Sequence, residues 1–571
     1  MTRPKPPPKQ FVLTSSGAWA VVDDDDDDGN GGDARVVGGD AVMRDAAQQL
    51  WRTTTWLDML NDRARNAAYA RAMRRVVRSG VDRVLDIGAG CGILSMYAAR
   101  AGATGVVGLE EYALSARVAR EATASDATIS VVNARSDAYA LEKGDQRFSV
   151  LVSELLDSAL LGEGWLCVAR DARARLLEPN ARSMPRRARV YFQLVDFDCD
   201  DMRAFFEHES RVLGNGCWRA RERNETNGVV WCGKAQQAHA DAWMSSGRCR
   251  PLSARNETAF FEIDFERLPG TNAPDARWTT TCDVIDDGIV DGVVWWWEID
   301  LDDAGEVRYS TAPGKGKPWS HHWRQCVALA PERARKSVAK GERVDIVSAI
   351  IDDVDIRMGF VVPSDDIDED EDEVPPTSAS VVADASLVVA NPWYGALRTS
   401  TPCRIFGVGA RFPEFIASKA KLGVAFGADV SAANALLYPL AADAPVGSPE
   451  GAIAMLPPAP FRVFDLAASR DAAIATASRR VFEIGSASST TTTFESGDGA
   501  AFDCVVLFRD DQGWCPDAPF APPIPGTLCQ SILIIPEHAR AASVTIWCGA
   551  PLGDDASSML ELRFAALVPH T

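Results

Sequence analysis

The sequence has no C-x-x-C pair among its 13 cysteines, no run of about 18 apolar residues and no basic excess. Unpatterned cysteines argue against a disulfide frame or a zinc site, and read as reduced thiols of an intracellular protein. The missing apolar run argues against a membrane span. The opening stretch, MTRPKPPPKQ, lacks the apolar core of a signal peptide, so none is expected there. A formal net charge of −21 disfavours a broad nucleic-acid surface and suits cationic partners. Part of that charge lies in two runs, DDDDDD at 23–28 and DDIDEDEDE at 365–373, which read as solvated loops.

What is present fills more than one core. A chain of 571 residues that is 46% hydrophobic predicts two or three domains. Residues 1–45 form an N-terminal extension with a Pro-rich start, a strand-like KQFVLTSS and the first acidic loop. Residues 46–80 carry apolar positions at helical spacing, with Gly80 as a stop. RVLDIGAG, ILSMYAARAG, GVVGLE, ALSARVAREATA, TISVVNA and FSVLVSELL then alternate as strand, helix, strand, helix, strand, strand. That order predicts a parallel doubly wound sheet, within a domain spanning 46–188. From 189 the runs ARVYFQLVDF, AFFEIDFE, VVWWWEIDLD, VRYST and RVDIVSAIIDD predict a β domain, with an acidic linker completing it to 380.

Past 380 the chain echoes itself. Residues 396–436 resemble 72–119 as helix, glycine-bearing strand, helix, strand, and LCQSILIIPE (528–537) resembles WRQCVALAPE (323–332). The shared order predicts a shortened second copy over 381–571.

The chemistry gathers at a few points. DIGAGCG sets Asp86, Gly88 and Gly90 where a strand opens into a helix. Glycines let a ligand approach the backbone, and a helix N-terminus offers free N–H groups. Glu110, at the end of the next strand, stands where an acid holds ribose hydroxyls. G-x-G-x-G spacing, with Met59 and Arg65 on the preceding helix, favours S-adenosylmethionine (SAM) over a dinucleotide. Downstream, ELLDSALLGE brackets an apolar loop with Glu154 and Glu163.

VLDIGAGCGILSMYAARAGATGVVGLE, SELLDSALLGEG and HHWRQCV, in that order, resemble the protein arginine methyltransferases. The wording of the acidic loop and of TWLDMLNDRARN is most similar to the type III, monomethylating subfamily, whose chains carry two tandem modules. The resemblance implies a Rossmann-like SAM domain followed by a β-barrel, with a degenerate second copy of the same arrangement. It implies that Gly88 and Gly90 form the turn against SAM, that Glu110 binds ribose, and that Ser136 and Asp137 lie by adenine. Arg65 would pair with the SAM carboxylate and Met59 would line its sulfonium end. Glu154 and Glu163 would be the two acids that grip an arginine. His322 and Trp323 match the end of the family's Thr-His-Trp loop, and Asp62 matches the acid that pairs with the histidine.

That residue set suits its chemistry. A guanidinium presents five donors in a planar fork, and two carboxylates can hold it while one nitrogen faces a methyl group. Without the flanking motifs the two acids would read as a pair of surface charges. The resemblance implies substrates rich in arginine, while the cysteine pattern, net charge and lack of a long apolar run lead to the expectation of no metal and no direct contact with nucleic acid or membrane. It also implies two modules paired within one chain, with self-association as the alternative support, and the sequence leaves cytoplasm and nucleus both open. Formation of dimethylarginine, an inactive arginine-binding scaffold and a small-molecule methyltransferase are the alternatives. Trp56 departs from the subfamily's usual tyrosine, and Ser320–His321 stand where its threonine would precede His322. In the second copy IFGVGARF keeps Gly407 and Gly409 without an aspartate, and no second acidic loop follows. That copy is expected neither to bind SAM nor to catalyse.

Overall fold

The computed structural model describes residues 10–13, 19–22 and 59–197, and parts of 229–361 and 404–567. Trp56, Ser320, His321, both acidic runs and the linker at 363–380 lie outside the described residues. The strand expected near KQFVLTSS is present as Gln10–Leu13, paired antiparallel with Trp19–Val22.

Helix α1 (Arg63–Val76) leads into β1 (Arg83–Ile87), α2 (Ile93–Arg100), β2 (Gly105–Glu110), α3 (Ala113–Thr123), β3 (Ile129–Asn133), β4 (Phe148–Ser153), α4 (Trp165–Arg175) and β5 (Leu177–Met184). The strands form one parallel sheet in the order β3-β2-β1-β4-β5. FSVLVS in β4 is buried at every position, as a strand covered on both faces requires. The expected helix is described only from its final part. A helical turn at 59–61 breaks at Asp62, whose side chain accepts from the Arg65 amide at 2.9 Å and caps α1.

A first antiparallel barrel follows: β6 (Arg187–Phe197), β7 (Val229–Trp231), β8 (Gln236–Ala238), β9 (Cys249–Pro251), β10 (Phe261–Asp264), β11 (Arg277–Asp283), β12 (Gly292–Asp300), β13 (Arg308–Ser310), β14 (Gln325–Leu329), β15 (Arg343–Ile351) and β16 (Asp355–Val361). One sheet runs β8-β14-β12-β6-β9, with β10 on β6 and β13 on β12; the other runs β11-β15-β16-β7. Trp295 and Trp297 of β12 face one core and Trp296 faces another, following the two-residue period of a strand. The core containing Trp295 and Trp297 is continuous with that of the parallel sheet.

Beyond 403 the described strands are β17 (Arg404–Arg411), β18 (Val424–Ala425), β19 (Ala428–Asp429), β20 (Ala452–Ala454), β21 (Ala459–Phe461), β22 (Ala473–Ile474), β23 (Arg479–Glu483), β24 (Thr490–Glu495), β25 (Cys504–Arg509), β26 (Gln530–Ile534), β27 (Ser543–Gly549) and β28 (Arg563–Leu567). Their sheets run β21-β26-β25-β17-β22, with β23 on β17, and β24-β27-β28-β20. Apart from β13, which has no counterpart among the described residues, this matches the first barrel strand for strand and in chain order. The match reaches single hydrogen bonds. The Leu194 amide donates to Ser253 Oγ at 2.9 Å, and the Gly409 amide donates to Thr476 Oγ1 at 2.8 Å. Both acceptors lie at isolated bridges, Ser253 to Val284 and Thr476 to Ser496. The echo between WRQCVALAPE and LCQSILIIPE corresponds to β14 and β26.

The other echo is corrected by the structure. IFGVGARF is not a degenerate nucleotide turn but strand β17 of a barrel, paired antiparallel with β25. Its glycines answer to packing. A Cβ on Gly407 would lie 2.8 Å from Val505 and 2.9 Å from Val481, and one on Gly409 would lie 2.6 Å from Thr476. Among the described residues past 403 every strand pairing is antiparallel. The described strands within 404–567 therefore repeat the barrel, and no parallel sheet is found among those described residues. Only residues 362–403 separate β16 from β17, too few to repeat the span from α1 to β5.

The β18–β19 hairpin reaches back to the first module. Tyr97 of α2 donates its hydroxyl to the Ala425 carbonyl at 3.0 Å. Ala428 and Val430 are buried in the core of the first module.

Candidate functional site

The cofactor turn is built by three glycines with positive φ: Gly88 (+78°), Gly90 (+57°) and Gly92 (+84°). At Gly88 the need is also spatial, since a Cβ would lie 2.7 Å from Leu155 Cδ2. Glu110, buried at the end of β2, faces this turn. Its carboxylate accepts from the Gly90 amide at 2.8 Å and the Tyr112 amide at 2.9 Å. Asn133 on β3 donates to the Glu110 and Glu111 carbonyls at 2.9 and 3.0 Å, holding the strand end from the side. Arg135 reaches both Asp137 and Glu111. Ser136 gives its carbonyl to Arg175 at 2.7 Å, while the Asp137 carboxylate is exposed. Asp86, next to last in β1, is buried, with one oxygen taken by Ser95 at 2.6 Å, and burial pushes its carboxyl up to about 6.

Beside this turn lies a second set of groups. Glu154 follows β4 and is buried, and its Oε2 accepts from Arg65 Nη2 at 2.8 Å. The Arg65 guanidinium also donates to Asn66 at 2.9 Å and lies over the rings of Tyr69 and Trp323, at 5.0 and 5.6 Å. Desolvation pushes the Glu154 carboxyl up to about 7, against the pull of Arg65. Burial lowers the Arg65 pKa, but Glu154, Tyr69 and Asp62 together raise it, so the guanidinium stays charged. His322 Nε2 lies 3.6 Å from Asp62 Oδ2, and its ring packs on Trp323 at 4.8 Å. Met59, partly buried, packs against the same core.

The loop between the two acids is moored to the barrel. Trp323 Nε1 donates to the Leu156 carbonyl at 2.9 Å and Trp297 Nε1 to the Ser158 carbonyl at 3.1 Å. The Arg324 amide donates to Ser158 Oγ at 2.9 Å. Leu160 is buried at φ +70°, a conformation that a side chain adopts only when its surroundings impose it. Glu163, by contrast, is exposed, next to Gly164, which opens α4 with φ +82°.

The structure thus brings Asp62, Arg65, Glu154, His322 and Trp323 into one network, and Gly88, Gly90 and Glu110 into another. The two meet where Leu155 covers Gly88. Sequence reasoning missed Asn133, Ser158, Trp297 and Tyr309. Ser158 lies inside ELLDSALLGE but is not one of its acids, the other three lie outside the motifs that carry the chemistry, and each acts through a neighbour from a distant segment.

The residues fit a bound SAM. Arg65 Nε, Asp86 Oδ1 and Glu154 Oε1 are buried without a hydrogen-bond partner among the described residues.

A glycine turn on a parallel sheet, joined to an antiparallel barrel that holds an acidic loop, defines a Rossmann-like methyltransferase fold. Two family models match it: ribosomal protein L11 methyltransferase over 69–162, and the arginine methyltransferase oligomerization subdomain over 247–358. Protein arginine N-methyltransferase 7 of Oryza sativa subsp. indica is 36% identical over 305 residues, 49% of this chain and 41% of that protein. Protein arginine N-methyltransferase 1.6 of Arabidopsis thaliana is 34% identical over 325 residues, covering 52% and 42%. Protein arginine N-methyltransferase 7 of Danio rerio is 28% identical over 375 residues, covering 62% and 52%. The match thus spans about half or less of each relative's length. Over that part the chain is similar to the protein arginine N-methyltransferases. A solved Trypanosoma brucei arginine methyltransferase enzyme–prozyme heterotetramer with AdoHcy aligns at a TM-score of 0.39 and 20% identity, over 51% of this chain and 86% of the other.

Proposed function

We propose that the chain transfers a methyl group from SAM to a guanidinium nitrogen of arginine in proteins, giving ω-N-monomethylarginine. One observation carries this reading: a buried carboxylate, Glu154, beside the glycine turn and already bonded to a guanidinium. SAM, when bound, would supply an electrophilic methyl, which would pass from its sulfonium to the arginine nitrogen with release of a neutral thioether. Arg65, drawn to the SAM carboxylate, leaves Glu154 free for the substrate. Glu154 then grips the substrate fork and Glu163 closes on it from the rim, so that one nitrogen faces the methyl. The nitrogen sheds a proton, which Glu154 or the His322–Asp62 pair accepts. Gly88 and Gly90 would bear on the cofactor, Glu110 would hold ribose, and Ser136 and Asp137 would lie by adenine. Met59 would line the sulfonium end.

Basic or Arg/Gly-rich segments suit the acidic chain. The second barrel is read as a duplicated partner held within the chain, with the β18–β19 hairpin as its contact on α2. The proposed setting is cytoplasm or nucleus.

Labelled SAM and an R-x-R or Arg/Gly-rich peptide, with products analysed by mass, test the reading. Monomethylarginine alone is the expected product. Dimethylarginine would replace it with another product type. SAM binding without any product would make the chain a scaffold.

The pH profile supplies a second test. Glu154 must be ionised to hold a guanidinium, and its carboxyl is raised by burial to about 7. The peptide kcat/KM should therefore rise with pH through about 7, whereas an ordinary glutamate would put that limb near pH ~4.3. A limb below pH 5 would remove Glu154 from this role.

A further inference from the structure

Helix α1 carries Arg65 and is capped by Asp62, so its placement sets both the cofactor side and the histidine side of the pocket. It is strapped at both ends to one hairpin of the first barrel, β12–β13. At the C-terminal end Arg75 donates to Asp302 at 2.6 Å and pairs with Glu306 at 2.7 Å. Asp302 is buried, and its other oxygen accepts from the Glu306 and Val307 amides at 2.9 and 3.2 Å, which shapes the hairpin turn. At the N-terminal end Tyr309 of β13 donates its hydroxyl to Asp62 Oδ2 in a short hydrogen bond. That oxygen is the one His322 approaches. The other oxygen, Oδ1, holds the Arg65 amide. The Tyr309 ring stands edge-on to Trp323, with centroids 5.1 Å apart.

We infer that Tyr309 is a further positioning residue of this site. Its hydroxyl fixes the Asp62 carboxylate, and through it both the first turn of α1 and the seat of His322. An aspartate cap alone fixes one oxygen and leaves the carboxylate free to rotate about its own bond. The hydroxyl fixes the second oxygen from a different domain, so the carboxylate has one orientation. His322 then meets a stationary partner, which matters when an imidazole must receive a proton at a set position. A phenylalanine would keep the ring contact with Trp323 and lose only this link. The inference rests on the proposed methyl transfer for its kinetic consequence, but not for its structural one.

The test is Tyr309→Phe in the full chain. With SAM and an R-x-R peptide, kcat should fall about tenfold while the SAM Kd stays within twofold. In an Asp62→Asn background the same change should lower kcat by less than twofold, because the carboxylate it acts through is gone. Independently of activity, hydrogen exchange at the Arg65 and Asn66 amides should quicken about tenfold in Tyr309→Phe. Unchanged exchange overturns the inference even if the wild-type chain methylates nothing. So does an equal loss of kcat in both backgrounds. A wild-type chain without activity but with the exchange effect would sink the methyl-transfer reading and leave the strap standing.

Discussion

Glu154→Gln should lower methyl transfer at least a hundredfold and leave SAM affinity within about threefold. Glutamine keeps the shape and one acceptor oxygen but removes the charge. Charge-assisted hydrogen bonds to a buried partner are worth about 1.5–3 kcal/mol each, and orientation of the reacting nitrogen adds to that. A total of about 3 kcal/mol corresponds to roughly a hundredfold in rate. SAM should be largely spared, because the cofactor contacts proposed here run through the glycine turn, Glu110 and Arg65. The free chain should lose stability, since Arg65 is buried and Glu154 is its ion-pair partner. Removing one member of such a pair typically costs about 3–5 kcal/mol. Isothermal titration with SAM and a single-turnover assay separate these effects. Loss of SAM binding equal to the loss of turnover would reassign Glu154 to the cofactor site.

Ala428→Arg should lower methyl transfer tenfold or more and weaken SAM binding alongside it. Helix α2 is short, starts directly after the glycine turn, and has six consecutive buried residues, Ile93 to Ala98. Such a helix needs cover on more than one side. The β18–β19 hairpin contributes part of it through Ala428 and Val430, which are both buried, and through the Tyr97 hydrogen bond. An arginine cannot be buried there without an acidic partner, so the hairpin would lift. Lifting it forfeits about 2–4 kcal/mol of valine burial and hydrogen bonding, and frees the helix that anchors the turn. Phe426 at the tip of the same hairpin is exposed, and Phe426→Ser should leave both measurements unchanged. Equal activity of Ala428→Arg and the wild-type chain would contradict a supporting role for the second barrel.

Much of the first module was legible in the sequence. Apolar runs of strand length alternating with helical spacing specify a parallel sheet, because each run must be buried on both faces. Glycines at three alternate positions specify a turn, because few other residues adopt positive φ there. The second module was half legible. Gln530 and its neighbours keep the pattern of β14, so that echo corresponds to matching strands. Gly407 and Gly409 misled, because a glycine that admits a ligand and one that admits a neighbouring side chain look alike in one dimension.

The sequence by itself determined the parallel sheet, its cofactor turn and the residue types at the pocket, since local spacing and backbone freedom decide these. Tertiary structure alone decided three matters. It turned the second copy into a barrel. It placed its hairpin on α2. It gave Glu154 a guanidinium partner and Asp62 a tyrosine from a strand 247 residues away. Each depends on which distant side chains share one buried volume, and no local pattern carries that information.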